Sequence, residues 1–149
     1  MCLTVKENAK VVINEKPILT WKYVKIYGGQ NKKWNSPIFS DGTKDKYFGT
    51  VYNAQHTVMK QNYKAVWADL EHIENNYGGV YAAFHSFHSP VKLWWVYTNL
   101  AKNNCRIRPC VIPVGSETIE GTDGDIASTK IIVFKNIFQA IKYCRTNKK

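Results

Sequence analysis

The chain has 149 residues, 44% of them hydrophobic and 21% charged, which suits one folded domain and excludes a disordered chain. A formal net charge of +10 points to acidic partners and excludes a surface that mimics DNA. No apolar run approaches the roughly 20 residues of a membrane-crossing helix, and the opening "MCLTVKEN" does not read as a secretory leader.

Residues 18–27, "ILTWKYVKIY", set Leu19, Trp21 and Tyr23 in alternation with Thr20 and Lys22, which predicts a strand closed by Gly28 and Gly29. A polar loop with Lys32, Lys33 and an isolated Trp34 follows, and Asp41-Gly42 signals a turn. Residues 47–54 predict a second strand with Gly49 at a bulge. Val66, Leu70 and Ile73 then fall on one helical face, stopped by Asn76 and the pair Gly78-Gly79.

Residues 80–87 predict a buried strand. Ser89 as N-cap and Pro90 at the first helical position open a helix with the stripe Val91, Trp94, Trp95 and Thr98, widened by Leu93, Tyr97 and Leu100. Residues 105–116 alternate Ile107, Pro109 and Val111 with Arg106, Arg108 and Cys110, and the prolines predict an edge or bulged strand. Residues 117–129 read as an acidic, turn-rich connection. Residues 130–134 predict a strand. Asn136 then caps a helix with Ile137, Ala140, Ile141 and Cys144 on one face, and the basic tail 145–149 is expected to fray. Strands and helices mix without a βαβ repeat. The expectation is one α+β domain over residues 1–149, a twisted, mainly antiparallel sheet with two or three helices.

The candidate chemistry centres on "HSFHSP". His85 and His88 are candidate acid/base residues. With Ser86 and Ser89 they would surround an anion at the start of the following helix. The other histidines, His56 and His72, are distant in sequence, so no metal is expected. The four cysteines form no C-x-x-C and read as buried thiols of a reducing compartment. Five Trp, nine Tyr and six Phe place some rings at a surface. Lys32, Lys33 and Trp34, and separately Arg106 and Arg108, are candidates for contacting bases or phosphates. Glu117, Glu120, Asp123 and Asp125 lack calcium-loop spacing and read as a solvated turn.

The start "MCLT", the central "FHSF" and the run "CVIPVGSETIEGTDGDIASTKIIV" resemble small uncharacterised proteins of tailed phages and prophages of Bacteroidetes hosts, crAss-like phages among them. The resemblance covers about a third of the chain, mostly residues 80–87 and 110–133. It implies a phage setting, either the virion or the host cytoplasm, and carries no reaction. A strand ending in "IPVGS", a short strand and then "STKIIV" are also similar to the C-terminal half of ADP-ribosyltransferase-like folds. There a glutamate on the strand orients the nicotinamide ribose. This sequence has Lys130 at that place, with Glu117 or Glu120 as displaced substitutes, so the resemblance implies a degenerate relative.

Two functions follow. The first is a binding protein, a virion component or cargo, or a host-takeover factor contacting protein, nucleic acid or nucleotide. It would need no cofactor or membrane and could self-associate. The second is a small enzyme on nucleotides or nucleic acid, with His85 or His88 as acid/base and Arg106 or Arg108 on phosphate.

Overall fold

A computed structural model describes residues 3–6, 11–35, 46–53, 77–80, 84–96, 105–121 and 124–147. Within them the chain forms strands β1 (Leu3–Lys6), β2 (Val12–Ile13), β3 (Ile18–Tyr27), β4 (Lys33–Asn35), β5 (Lys46–Tyr47), β6 (Val51–Asn53), β7 (Tyr77–Val80) and β8 (Phe84–Phe87). Helix α1 (Pro90–Val96) follows, then β9 (Cys105–Ile112), β10 (Glu117–Glu120), β11 (Asp125–Ser128), β12 (Lys130–Val133) and helix α2 (Ile137–Thr146). All described strand pairings are antiparallel. The main sheet runs β2-β10-β11-β8-β3-β9-β12-β6, with β4 and β5 added beside β3, and β1 and β7 pair separately. This is an α+β fold built on a mainly antiparallel sheet, with two helices among the described residues. No helix among the described residues is long and apolar enough to cross a membrane.

β3 and β9 form the spine, paired along all eight residues of β9. Side chains alternate between faces of a strand, so each strand splits into two sets. One face carries Leu19, Trp21 and Tyr23 from β3 with Val111 and Ile107 from β9. Both helices cover it. α1 seats Leu93 against Tyr23, Phe87 and Cys105, and α2 seats Ala140 and Tyr143 against Val111, Ile132 and Phe134. The opposite face carries an apolar cluster of Val24, Trp34, Phe84, Cys110, Ile131 and Val133. There the sheet returns on itself. Trp34 of β4 meets Tyr52 of β6 edge to face at 6.0 Å, and Tyr52 Oη accepts from the Tyr47 amide.

The helix starts follow their caps. Asn136 accepts from the Gln139 amide at 3.0 Å, and Ser89 Oγ accepts from the Lys92 amide at 3.3 Å. The "IPVGS" run forms the β9–β10 connection. Gly115 takes φ +87 there, and Asn14 clamps the turn with its amide on Ser116 O and its Nδ2 on Lys16 O.

Several expectations change. The 117–129 connection is instead the hairpin β10–β11, in which Thr118, Ile119, Ile126 and Ala127 are buried on both faces of the strands. Gly78 and Gly79 lie in a strand. They pair with Val5 and Thr4 in β7–β1, where a partner strand overrides their weak local preference. Of the expected strand 80–87, Val80 falls in β7 and residues 84–87 form β8, and these two strands lie in different sheets. The strand 47–54 breaks at Gly49, with φ +78, into β5 and β6.

β9 is central rather than an edge. Pro109 is tolerated because an antiparallel residue directs its N–H and C=O to the same side. Its carbonyl accepts from Phe134 N at 2.9 Å, just where the β12 ladder, last paired at Cys110, ends. On α1, Val91, Trp94 and Trp95 face outward and Leu93 is the anchor. Arg145 and Thr146 belong to α2 instead of a frayed tail. The helix expected around Val66, Leu70 and Ile73, the Asp41-Gly42 turn, His56, His72, Asp123, Tyr97, Thr98 and Leu100 lie outside the described residues.

Candidate anion-binding site

The face of β3 and β9 away from the helices gathers cations. Lys22 pairs across the ladder with Arg108, and Val24 with Arg106, so all three basic side chains leave the same face. The register that sets Trp21 opposite Phe87 brings Ser86 beside Lys22 on the other flank. The result is a row across three strands, Ser86–Lys22–Arg108, with Thr20 and Cys110 paired one level away.

Lys22 is 8% exposed, and its Nζ donates to His85 O at 3.0 Å. Arg108 is half-buried. Its guanidinium is held below its usual range by desolvation and then by the neighbouring Arg106. Arg106 is exposed. The guanidinium contacts of both arginines are to backbone, Arg106 Nη1 to Cys105 O at 3.2 Å and Arg108 Nη1 to Ile107 O at 3.0 Å. Among the described residues neither arginine meets a carboxylate. Like charges gathered on a partly desolvated face are unfavourable in isolation and stabilise an anion placed among them. Ser86 Oγ and Thr20 Oγ1 are buried on this face without a hydrogen-bond partner.

The sequence candidates separate. Ser86 and Arg108 join the row, and Arg106 borders it. His85 points to the helix-covered face, opposite Ala127, and is buried. His88 lies at the exposed end of β8 with Nε2 2.9 and 3.1 Å from the Glu120 carboxylate oxygens. The two histidines therefore do not converge. Ser89 is occupied as the helix cap. Trp34 is fully buried, its Nε1 donating to Tyr47 O at 3.3 Å and Lys46 Nζ lying 5.4 Å from the ring centre, so it offers no open face to a base. Lys32 is exposed, and Lys33 Nζ lies 5.8 Å from the centre of the Tyr47 ring. Of the acidic group, Asp125 is buried in β11, Glu120 pairs with His88, and Glu117 sits at the β2 edge.

The three described cysteines, Cys105, Cys110 and Cys144, are held towards the thiol form. Burial pushes Cys110 up to about 12, outweighing the pull of Lys22, and burial likewise raises Cys105 and Cys144. Among the described residues no three His, Cys, Asp or Glu side chains gather as a metal site.

The residues missed from sequence are Lys22 and Thr20. Their signal was the alternation of β3 itself, which puts both on the face that Arg108 and Cys110 share on β9. No family model, no curated protein and no solved structure matches this chain.

Proposed function

We propose that this chain is a binding protein that holds the phosphates of a nucleic acid on its basic face, in the tailed-phage setting implied by residues 80–87 and 110–133. One observation carries the reading. Arg106 and Arg108 leave one face of β9 about 6.7 Å apart along the strand, and neither is paired with a carboxylate among the described residues. A spacing of that order suits successive phosphates of a strand, and the +10 net charge favours its approach.

The test is the salt dependence of affinity for a single-stranded oligonucleotide. Two or three phosphate contacts give a slope of log affinity against log salt of about −1.4 to −2.1. Arg106→Ala should weaken binding to all sequences alike and flatten the slope by about 0.7. Binding that is absent, or indifferent to salt and to both arginines, refutes the reading. Mass spectrometry of purified virions separates its two versions: high copy number in mature particles supports a virion component, and absence from them supports a host-takeover factor.

The His88–Glu120 pair favours a second reading, a small enzyme on nucleotides, degenerate relatives of ADP-ribosyltransferases included. A carboxylate that orients an imidazole is a common arrangement for general acid/base chemistry. His88→Ala would then abolish turnover of a nucleotide substrate with the melting temperature nearly unchanged. Undiminished turnover, or a loss explained by unfolding, removes this reading.

A further inference from the structure

Helix α1 turns apolar side chains both ways. Leu93 is buried with Tyr23, Phe87 and Cys105, whereas Val91, Trp94 and Trp95 fall at i, i+3 and i+4 on the outward side. Trp94 is 50% exposed and Trp95 73%. Their ring centres lie 6.4 Å apart with a 50° tilt, so neither ring lies flat on the other. A single exposed apolar residue needs no explanation, but an outward stripe with two tryptophans marks a contact surface. Phosphate binding by Arg106 and Arg108 leaves that surface unused.

We propose that Trp94 and Trp95 are a platform on which the unpaired bases of a single-stranded nucleic acid stack. This rests on the phosphate-binding reading above and adds the form of nucleic acid that the protein takes. The occupant follows from charge. α1 carries Lys92 and no acidic residue. Leu93 packs against Cys105, so the helix lies over the end of the spine where Lys25 pairs with Cys105 and Val24 with Arg106. Lys25 is exposed and shares the helix-covered face with Tyr23, and Arg106 is exposed on the other face. Burial raises the Cys105 thiol, and Lys25 and then Arg106 pull it down, which puts both cations beside that residue. The cations Arg108, Arg106 and Lys25 thus lead from the basic face round the end of the spine to the helix that bears the tryptophans. A strand that follows them brings its bases onto the rings. A second copy of the chain fits less well. The stripe leaves on the order of 400 Å² open, against the roughly 800 Å² that each partner of a stable protein interface buries. Two chains of net charge +10 also repel each other. A base needs only one ring face, and every base has a face to offer.

The experiment measures, on the full chain and over a range of salt, the affinity of a short single-stranded oligodeoxynucleotide and of an abasic strand of the same length. The intact strand should bind about 5- to 150-fold more tightly at each salt concentration, the range for one stacked base. Trp95→Ala should remove most of that advantage, and Trp95→Phe, which keeps a ring, should recover part of it. Trp94→Ala should act in the same direction. Arg106→Ala flattens the salt slope, whereas Trp95→Ala lowers affinity without flattening it, because stacking releases no counterions. Phe138→Ala is the control: its ring is 80% exposed on α2, outside the platform, and the variant should bind both strands as the parent does. Trp95 is mostly in solvent, so its variants should fold, and the thermal midpoint of each checks this. The comparison of the two strands in the parent holds whether or not they do. Equal affinity for the intact and abasic strands, with a salt slope that still depends on Arg106, overturns the platform and leaves phosphate binding intact. An advantage that survives in both tryptophan-to-alanine variants, or that Phe138→Ala removes equally, also overturns it. So does a parent dimer that Trp95→Ala dissociates without touching strand affinity, since the stripe would then join two copies. Binding of the intact strand that needs Trp95 but not salt-sensitive contacts at either arginine overturns the phosphate reading and leaves the platform. Failure of both strands to bind overturns both.

Discussion

Trp34→Phe tests whether the indole is a core residue or a stacking platform. In the folded chain the ring is fully buried, donates to Tyr47 O at 3.3 Å and meets the Tyr52 ring at 6.0 Å with an 84° interplanar angle. Phenylalanine keeps an aromatic edge-to-face contact and loses the N–H. A neutral hydrogen bond contributes about 1 kcal/mol net. The orphaned acceptor belongs to Tyr47, a residue 47% exposed, so water can replace the donor and the cost stays near that figure. The smaller ring adds a cavity term of about 1 kcal/mol. The sum is about 2 kcal/mol. At a urea m-value of about 2 kcal/mol/M this lowers the unfolding midpoint by about 1 M with m unchanged. Trp34→Ala would cost about 3–5 kcal/mol, a large part of a typical domain's stability, so phenylalanine is the informative change. Oligonucleotide affinity should be the same in Trp34→Phe and the parent below the unfolding transition. A variant with an unchanged midpoint and a lost affinity would refute the argument, because it would make the ring a ligand contact.

Asn136→Ala removes the acceptor of the Gln139 amide and should destabilise the protein by about 1 kcal/mol in chemical unfolding; no change would mean that water satisfies that amide equally well. Gly49→Ala places a side chain at φ +78 where no atom lies within 4 Å, so the cost is backbone strain alone, about 1 kcal/mol, and a neutral result would show that the β5–β6 turn relaxes. For Cys110 the folded thiol titrates near 12 against 9.0 in a free thiol, so above pH 9 the unfolded chain loses its proton first. Its contribution is fully present below pH 9 and is lost as pH rises from 9 towards 12. Stability measured over that range should fall less steeply in Cys110→Ala than in the parent, with Tyr23 and Cys105, both also raised, sustaining part of the slope in each. Identical slopes would contradict the burial of the thiol.

Local pattern determined the strongest elements. The alternation of residues 18–27 places β3, and the caps Ser89-Pro90 and Asn136 place the starts of both described helices, because period and capping depend on residues within one or two turns. The α+β class followed from the irregular mixing of those elements. The pairings did not, since they join residues far apart in the chain. Gly78 and Gly79 carry a stop signal by propensity, and only the Leu3–Lys6 strand turns them into β7. Pro109 suggests an edge, and only the early end of the β12 ladder shows why a central strand accepts it. For the site, Arg106, Arg108 and Ser86 stood out as polar residues in otherwise apolar strands. Their meeting needed β3 between β8 and β9, a register that sets Lys22 opposite Arg108, and strand alternation that turns His85 to the other face. Trp34 looked exposed in a lysine-rich stretch and is buried because the sheet returns on itself to bring Tyr52 against it. Sequence alone therefore determined which residues could be charged, capped or apolar. The tertiary structure decided which of them share a face, because register and sheet order are set by burial across the whole chain rather than by neighbours in sequence.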